Sequence, residues 1–148
     1  MELRPLDASH DALLRSLQEQ EDVWESIGTL PVSAPDPGNH VFVIMDGEVS
    51  LGFAGLFKSQ AAGSDDFELL CALRSEVQLR GVAKQACQLV LNWAFGAAKL
   101  ERVIACIDDA NQAARAIAAK LGMSELAPQS PHRTIYVKYR DERSLTRA

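Results

Sequence analysis

Short segments of alternating or continuous apolar residues predict most of the strands in this chain. Residues 41–45 form an apolar run, and Val49, Leu51, Phe53, Gly55 and Phe57 then alternate with other side chains. Asp46-Gly47 lies between these two segments, and this dipeptide is a strong signal for a tight β-hairpin. The same criteria predict strands at 2–5, 67–74, 102–107 and 133–139, with room for one more strand before the last.

A helical period of three and four residues dominates two other segments. The first is 83–98, where small and apolar residues recur without a break, and the second is 111–121, which is followed by Gly122. Glycine directly after a helical pattern is a common helix end. Two shorter helices are predicted near the N terminus, around Leu13 and Trp24. Between them and the first hairpin, the proline-rich segment 30–40 predicts a long loop.

This order of elements predicts an α+β fold with a mixed, mostly antiparallel twisted sheet and about four flanking helices. Segments 67–74, 83–98 and 102–107 form one βαβ unit, in which parallel strands are joined by a helix in a right-handed crossover. The chain of 148 residues fits one domain. We predict that this domain spans residues 1–140 and that the polar residues 141–148 fray.

Charge and composition narrow the classes of function. The net charge is −5 and no segment concentrates lysine and arginine, so we expect no nucleic-acid partner. No segment approaches the ~20 apolar residues of a membrane span, and the charged start lacks a signal peptide, so a cytoplasmic protein without a membrane partner is predicted. The three cysteines and the scattered His10, His40 and His132 lack metal-ligand spacing, so we expect no metal.

The turn between segments 67–74 and 83–98 has features of a phosphate site. It reads Gln78-Leu79-Arg80-Gly81-Val82-Ala83. The first turn of a helix leaves N–H groups unpaired, and the helix dipole adds positive potential there. Gly81 and Ala83 leave the backbone accessible, and Arg80 adds a charge. Taken alone, the same turn is also explained by a glycine-containing loop before a helix.

Other segments in the right order make the chain resemble the GCN5-related N-acetyltransferase (GNAT) superfamily. The family signature Q/R-x-x-G-x-G/A is filled by Gln78, Gly81 and Ala83. Asn111, followed by Ala-Ala-Lys-Leu-Gly-Met at 118–123, is similar to the family's "N…A-x-K-L-G-F" segment. The details look most like the ribosomal-protein alanine acetyltransferase branch, the RimJ/RimL type.

The resemblance implies how a cofactor would be held. Its signature segment would bind the pyrophosphate of acetyl-CoA through Gln78 and the backbone amides of Leu79, Arg80, Gly81, Val82 and Ala83. The pantetheine arm would run beside strand 67–74, along Leu70, Cys71, Ala72 and Leu73, in a V-shaped cleft between parallel strands. Asn111 would hydrogen-bond near the pantetheine.

The resemblance also implies the reaction. It is acetyl transfer from acetyl-CoA to a primary amine, either a protein N-terminus or a small molecule, by direct attack in a ternary complex. A homodimer is compatible with it.

Two candidate catalytic residues follow. Glu68, at the start of the cleft strand, is the candidate general base, because an alkylammonium must lose a proton before it attacks. It is equally explained as an exposed charge at a strand end. Many relatives carry a tyrosine acid where this chain has Ala118, and often a serine where it has Ala114, so an acid can be dispensable here. Tyr136 is the candidate acid on the last strand, where Tyr139 faces the other side, and packing in the core or at the edge also explains both tyrosines.

Two other classes of function stay open. The missing tyrosine is compatible with a non-catalytic acyl-CoA-binding regulatory module. A dinucleotide-binding fold is a weaker alternative, because one glycine–alanine turn falls short of the G-x-G-x-x-G pattern. Turnover with detection of free CoA thiol separates the enzyme from the binding module, and binding of NAD would support the third class.

Overall fold

The computed structural model describes residues 1–6, 38–74 and 81–140. These residues form seven strands: β1 (Glu2–Pro5), β2 (His40–Asp46), β3 (Val49–Ser59), β4 (Asp66–Leu73), β5 (Arg102–Asp108), β6 (Ser124–Ser130) and β7 (Arg133–Tyr139). They also form two helices, α1 (Val82–Phe95) between β4 and β5, and α2 (Gln112–Lys120) between β5 and β6. The predicted N-terminal helices, most of the proline-rich loop and the predicted tail 141–148 lie outside the described residues.

The strands build one seven-stranded sheet in the order β1-β2-β3-β4-β5-β7-β6. Neighbouring strands are antiparallel except for β4 and β5, which run parallel and are joined through α1. The mixed, mostly antiparallel α+β fold predicted from the sequence is therefore confirmed. The described part of the chain contains two helices where about four were predicted in the whole chain. The other two predictions fall within residues 7–37.

The β2–β3 hairpin turns one residue beyond the predicted Asp46-Gly47 dipeptide, with Gly47 shared by both. Asp46 pairs with Val49, which leaves Gly47 and Glu48 as a two-residue loop. Gly47 has a φ of 62°, a left-handed conformation that suits glycine and that the tight hairpin turns require. Local turn chemistry was therefore sufficient to place this connection.

Helix α1 packs one face of small and apolar side chains against the sheet. Its buried residues are Val82, Ala83, Ala86, Cys87, Val90, Leu91 and Ala94. The helix ends at Phe95, three residues before the predicted end at 98. Gly96 is its C-cap, and beyond it the N–H of Leu100 donates to the Ala94 carbonyl at 2.8 Å. The chain therefore leaves the helix early to enter β5, because glycine is a poor residue for continuing a helix.

The two faces of the sheet differ in their surroundings. On the face that we call the helix face, β4 contributes Leu69, Cys71 and Leu73 to the core that contains α1 and α2. Leu70 and Ala72 belong to a separate apolar cluster on the other side, which we call the opposite face. Because side chains alternate along a strand, the side chain of Glu68 is also on the opposite face.

Strand β6 is the additional strand for which the sequence left room. All seven of its residues are exposed, so no apolar alternation marks it in the sequence. It pairs only with β7 and lies at the edge of the sheet. Its Pro128 fits this position, because an edge strand has one side on which a backbone N–H needs no partner.

An ion pair joins the beginnings of β4 and β5. Asp66 accepts from Arg102 in a bidentate arrangement, with Nε–Oδ1 at 2.7 Å and the second contact at 2.9 Å. The side chain of Asp66 is only 5% exposed, and the Ser64 hydroxyl donates to it as well. These hydrogen bonds, led by those from Arg102, hold the pKa of Asp66 below its ordinary value of 3.8. The pair fixes the two parallel strands to each other at one end.

Asp66→Asn should reduce the free energy of unfolding by about 2–4 kcal/mol at pH 7, because a neutral amide cannot replace a buried, bidentate carboxylate. The folded pKa lies below the unfolded one, so this contribution is present above about pH 4 and is lost as the pH falls. Urea unfolding of both proteins at pH 7 and pH 3 measures the difference.

The matched control is Glu101→Gln, because the Glu101–Arg140 pair has a carboxylate that is 83% exposed. Exposed pairs contribute little, so this variant should stay close to the wild type. Equal losses in the two variants, or a loss in Asp66→Asn that does not decrease between pH 7 and pH 3, would contradict the assigned role of Asp66.

Candidate active site

The parallel strands β4 and β5 are in register over a small part of their length. Glu68 opposite Ile104 is their one registered pair, whereas all eight residues of β4 pair with β3 on its other side. The Asp66–Arg102 ion pair lies before this point, at the N-terminal ends of both strands. Beyond Glu68 no further registered pair joins the two strands, which fits the V-shaped cleft that the family resemblance implies at this place.

Glu68 therefore lies where the cleft begins. Its side chain is half-buried, and it lines a cavity of about 350 Å³ on the opposite face of the sheet. The cavity is also lined by Phe57, Ser59, Ala61, Leu70, Gln129 and Arg133. A carboxylate in this place can accept a proton from a molecule that enters the cavity.

The thiol of Cys106 lies next to Glu68. The pKa of this thiol is raised to about 12, first by burial and then by the charge of Glu68 and a hydrogen bond to Glu68. The charge of Arg133 acts in the opposite direction and lowers this pKa. Both charged groups of the cavity therefore act on the same thiol. Cys106 is 2% exposed and stays protonated at neutral pH, so it is not a nucleophile there.

Arg133 enters the cavity from the start of β7. Its Nε donates to the Asp108 carboxylate at 2.9 Å, at the end of β5. The sequence analysis did not single out Arg133 or Gln129. Both come near Glu68 only because β7 and β6 follow β5 in the sheet order. The sequence does contain one signal for Arg133, its alternation with Ile135 and Val137, which places the three side chains on the same face of β7. This signal identifies the cavity only when the strands next to β7 are known.

The residues predicted to run beside the pantetheine occupy both faces of β4. Leu70 and Ala72 point to the opposite face, Cys71 and Leu73 to the helix face, and all four are at most 4% exposed. Their side chains are thus part of the core. A cofactor beside β4 would therefore contact this strand through its backbone edge toward β5.

The predicted phosphate segment is described from Gly81 onward, and Gln78, Leu79 and Arg80 lie outside the described residues. Gly81 is the N-cap of α1 with φ 73°, and a Cβ built there has no atom of the described residues within 4 Å. The first turn contains no acidic residue and includes Lys84. No side chain of the described residues blocks the approach of an anion to these N–H groups, so the described part of the segment fits a pyrophosphate.

Asn111 and Ala118 are placed by helix α2. The Asn111 side-chain oxygen caps the helix by accepting from the Ala114 N–H at 3.1 Å. Ala118 is fully buried, so a tyrosine ring at this position would have to displace core neighbours. The helix therefore begins a few residues after the end of β5.

Tyr136 and Glu68 are not brought together. Tyr136 is 6% exposed and packs in the core on the helix face, and its hydroxyl accepts from Arg115 Nε at 3.4 Å. Tyr139 packs on the opposite face and lies 3.5 Å from an Arg102 nitrogen. The sheet therefore separates the candidate base from Tyr136.

We expect the thiols of the native protein to react slowly with Ellman's reagent at pH 8. All three cysteines, Cys71, Cys87 and Cys106, are free and buried, and the pKa values of Cys87 and Cys106 are raised. In Cys87 the hydrogen bond with Cys71 is the leading cause. The same protein in urea should release three equivalents at once. A rapidly reacting thiol in the native protein would contradict the described burial.

Within the described residues, no group of three or more His, Cys, Asp or Glu side chains is arranged to hold a metal ion. Neither of the described helices is long and apolar enough to cross a membrane.

Comparison with known proteins identifies the family. The model of the acetyltransferase (GNAT) domain family matches residues 1–124, most of the chain. The chain therefore belongs to the GNAT acetyltransferase family, whose members use acetyl-CoA. The search of curated proteins found no match.

Solved structures have the same fold. An acetyltransferase from Agrobacterium tumefaciens is 21% identical, with a TM-score of 0.71 over 93% of this chain and 89% of that chain. An acetyltransferase from Thermus thermophilus is 21% identical, with a TM-score of 0.67 over 93% and 96%. A mutant spermidine N-acetyltransferase from Vibrio cholerae is 14% identical, with a TM-score of 0.77 over 94% and 93%. At these identities the likeness supports the fold alone.

Proposed function

We propose that this protein transfers the acetyl group of acetyl-CoA to a primary amine by direct attack in a ternary complex. The observation that carries the proposal is the position of Glu68. It is half-buried in a cavity at the point where β4 and β5 separate. Membership of the GNAT family supports acetyl transfer, and the cleft gives the transfer a place next to a carboxylate.

The cofactor would contact the start of α1, the edge of β4 and the start of α2. Residues 78–83 would bind its pyrophosphate through backbone N–H groups at the start of α1. The edge of β4 from Leu70 to Leu73 would hydrogen-bond the pantetheine, and Asn111 would lie near its far side. Lys84 adds a positive charge in the first turn of α1, which favours the same anion.

The chemistry requires little from the chain beyond positioning and one proton transfer. Acetyl-CoA supplies an activated thioester whose sulfur leaves as a thiolate when the amine nitrogen bonds to the acetyl carbon. At neutral pH an alkylamine is almost entirely protonated, because its pKa is near ~10, so a base must take a proton first. Glu68 would accept this proton, and the second proton, which the nitrogen loses as the tetrahedral intermediate collapses, would pass to the departing thiolate or to water. A thiol with a pKa near ~8.5 leaves without an obligatory acid, which fits the buried Ala118.

In this proposal the acceptor is a primary amine, and two kinds of amine come into question. Resemblance to the RimJ/RimL branch favours a protein N-terminus, whereas the name of the Vibrio cholerae structure refers to spermidine. Because Glu68 and Tyr136 lie on different faces of the sheet, a second function is also compatible with the structure. A protein that binds acyl-CoA without turning it over, as a regulatory module, would need neither residue.

The test is turnover of acetyl-CoA with alkylamines, spermidine and peptides with free N-termini. Released CoA can be followed with a thiol reagent, since the protein's own thiols are buried. We expect amine-dependent thiol release, with the acetylated amine identified by mass spectrometry. Acetyl-CoA that raises the melting temperature without any amine-dependent release would instead support the regulatory module.

A further inference from the structure

The cavity beside Glu68 carries one negative and one positive side chain. Glu68 belongs to β4 and Arg133 to β7, and both line the same space of about 350 Å³. Ile104, the partner of Glu68, and Asp108, the partner of Arg133, are four residues apart along β5. This spacing corresponds to roughly 13 Å at the rise of an extended strand. The two charged residues therefore enter one cavity from backbone positions that lie well apart along the sheet.

The guanidinium of Arg133 has N–H donors that no described residue engages. Asp108 engages Nε at 2.9 Å, and no other hydrogen bond of this guanidinium is formed within the described residues. Its terminal nitrogens carry four further N–H groups, which suit a carboxylate or a phosphate. The side chain is 34% exposed, so a ligand can reach it. Asp108 neutralises part of the charge and also fixes the direction of the guanidinium plane.

The rest of the lining suits a short chain with polar ends. Phe57, Ala61 and Leu70 are apolar, while Ser59 and Gln129 add a hydroxyl and an amide. The Ser59 oxygen accepts from the Ala61 N–H at 3.2 Å, and its hydroxyl donates to no group within the described residues, so it can donate to a ligand. A ligand with an amine at one end and an anionic group at the other would satisfy both charged walls.

We infer that the acceptor of this enzyme is an amine that also carries an anionic group, with Glu68 facing the amine and Arg133 binding the anion. This inference rests on the proposed acetyl transfer and adds the acceptor class. Polyamines should be poor acceptors, because their additional positive charges would lie against Arg133. A carboxylate and a phosphate would satisfy Arg133 by the same chemistry.

The experiment compares ω-amino carboxylates of two to six carbons, aminoalkyl phosphates and spermidine with alkylamines of equal length. We expect the best amino carboxylate or phosphate to exceed its matched alkylamine in kcat/KM by about tenfold or more. Arg133→Gln should lower kcat/KM for that acceptor roughly 10–100-fold more than for the alkylamine, since a hydrogen bond to a charged group is lost. Arg133→Lys should recover part of the difference.

The matched control is Arg140→Gln, at the other end of β7. Arg140 also pairs with a carboxylate, Glu101, but it does not line the cavity. Arg140→Gln should leave the preference for anionic acceptors over the matched alkylamines unchanged. Equal kcat/KM for matched acceptors, a preference for spermidine, or an equal loss for both series in Arg133→Gln would overturn the inference.

A binding measurement separates this inference from the proposed reaction. Calorimetry with CoA present should show tighter binding of 5-aminopentanoate than of pentylamine, and Arg133→Gln should remove the advantage. This result would support the anion subsite even if no acceptor were turned over, in which case the proposed acetyl transfer alone would fail. Equal binding of the two compounds in a protein that acetylates amines would overturn the subsite alone.

Discussion

Glu68→Gln should lower kcat by roughly 10²–10⁴-fold at neutral pH, with the affinity for acetyl-CoA nearly unchanged. The substitution keeps the size and hydrogen-bonding shape of the side chain but removes its ability to accept a proton. Glu68 is half-buried in the cavity where β4 and β5 separate, so water replaces it poorly. Steady-state kinetics at saturating acetyl-CoA, with the binding constant measured separately, would give both quantities.

The pH profile and a control distinguish catalysis from a general effect of lost charge. Raising the pH should recover part of the rate of Glu68→Gln, because more of the acceptor then enters as the free amine. Glu48→Gln changes an exposed glutamate in the β2–β3 turn and should behave as the wild type. If Glu68→Gln kept the wild-type rate and pH profile, Glu68 would be only a charge at the start of a strand.

Gly81→Glu should abolish the rise in melting temperature that acetyl-CoA produces by binding the folded state. Gly81 has φ 73° at the start of α1, and no atom of the described residues lies within 4 Å of a Cβ built there, so the described surroundings leave room for the glutamate side chain. Its carboxylate would stand where we place the pyrophosphate and would repel it. Thermal unfolding with and without acetyl-CoA measures the effect.

Two control variants separate repulsion from backbone strain. Gly81→Gln imposes the same left-handed conformation and a similar bulk without the charge, so it should retain more of the shift. Gly63→Glu adds the same charge at another glycine with positive φ (84°) and open surroundings, in the β3–β4 connection. It should keep the full shift. A normal shift in Gly81→Glu would mean that the phosphate segment is misplaced.

Periodicity and turn chemistry predicted the parts of the fold that are locally encoded. The β2–β3 alternation, the Asp46-Gly47 turn and the small-residue face of α1 are all patterns within a few residues of one another. Strand β6 has no such pattern, since it is exposed throughout and contains Pro128. Its position depends on pairing with β7, which no local signal encodes.

The candidate site shows the same division. The face of Glu68 followed from alternation with Leu70 and Ala72. Arg133 could not be found in this way, because 65 positions of sequence separate it from Glu68 and only the strand order brings the two together. The ion pair between Asp66 and Arg102 was missed for the same reason. The sequence predicted a strand that begins at residue 67, whereas the register with β3 includes Asp66 in β4.

The most direct test of the central claim is a single-turnover reaction with acetyl-CoA that carries a deuterated acetyl group. Protein in excess over the labelled cofactor is mixed with an amine acceptor, and all products are analysed by mass spectrometry. Direct transfer predicts that the label is found on the acceptor nitrogen, in proportion to released CoA, with no labelled protein intermediate. Bound cofactor that stays intact in the presence of every amine, or label that first accumulates on a protein side chain, would contradict it.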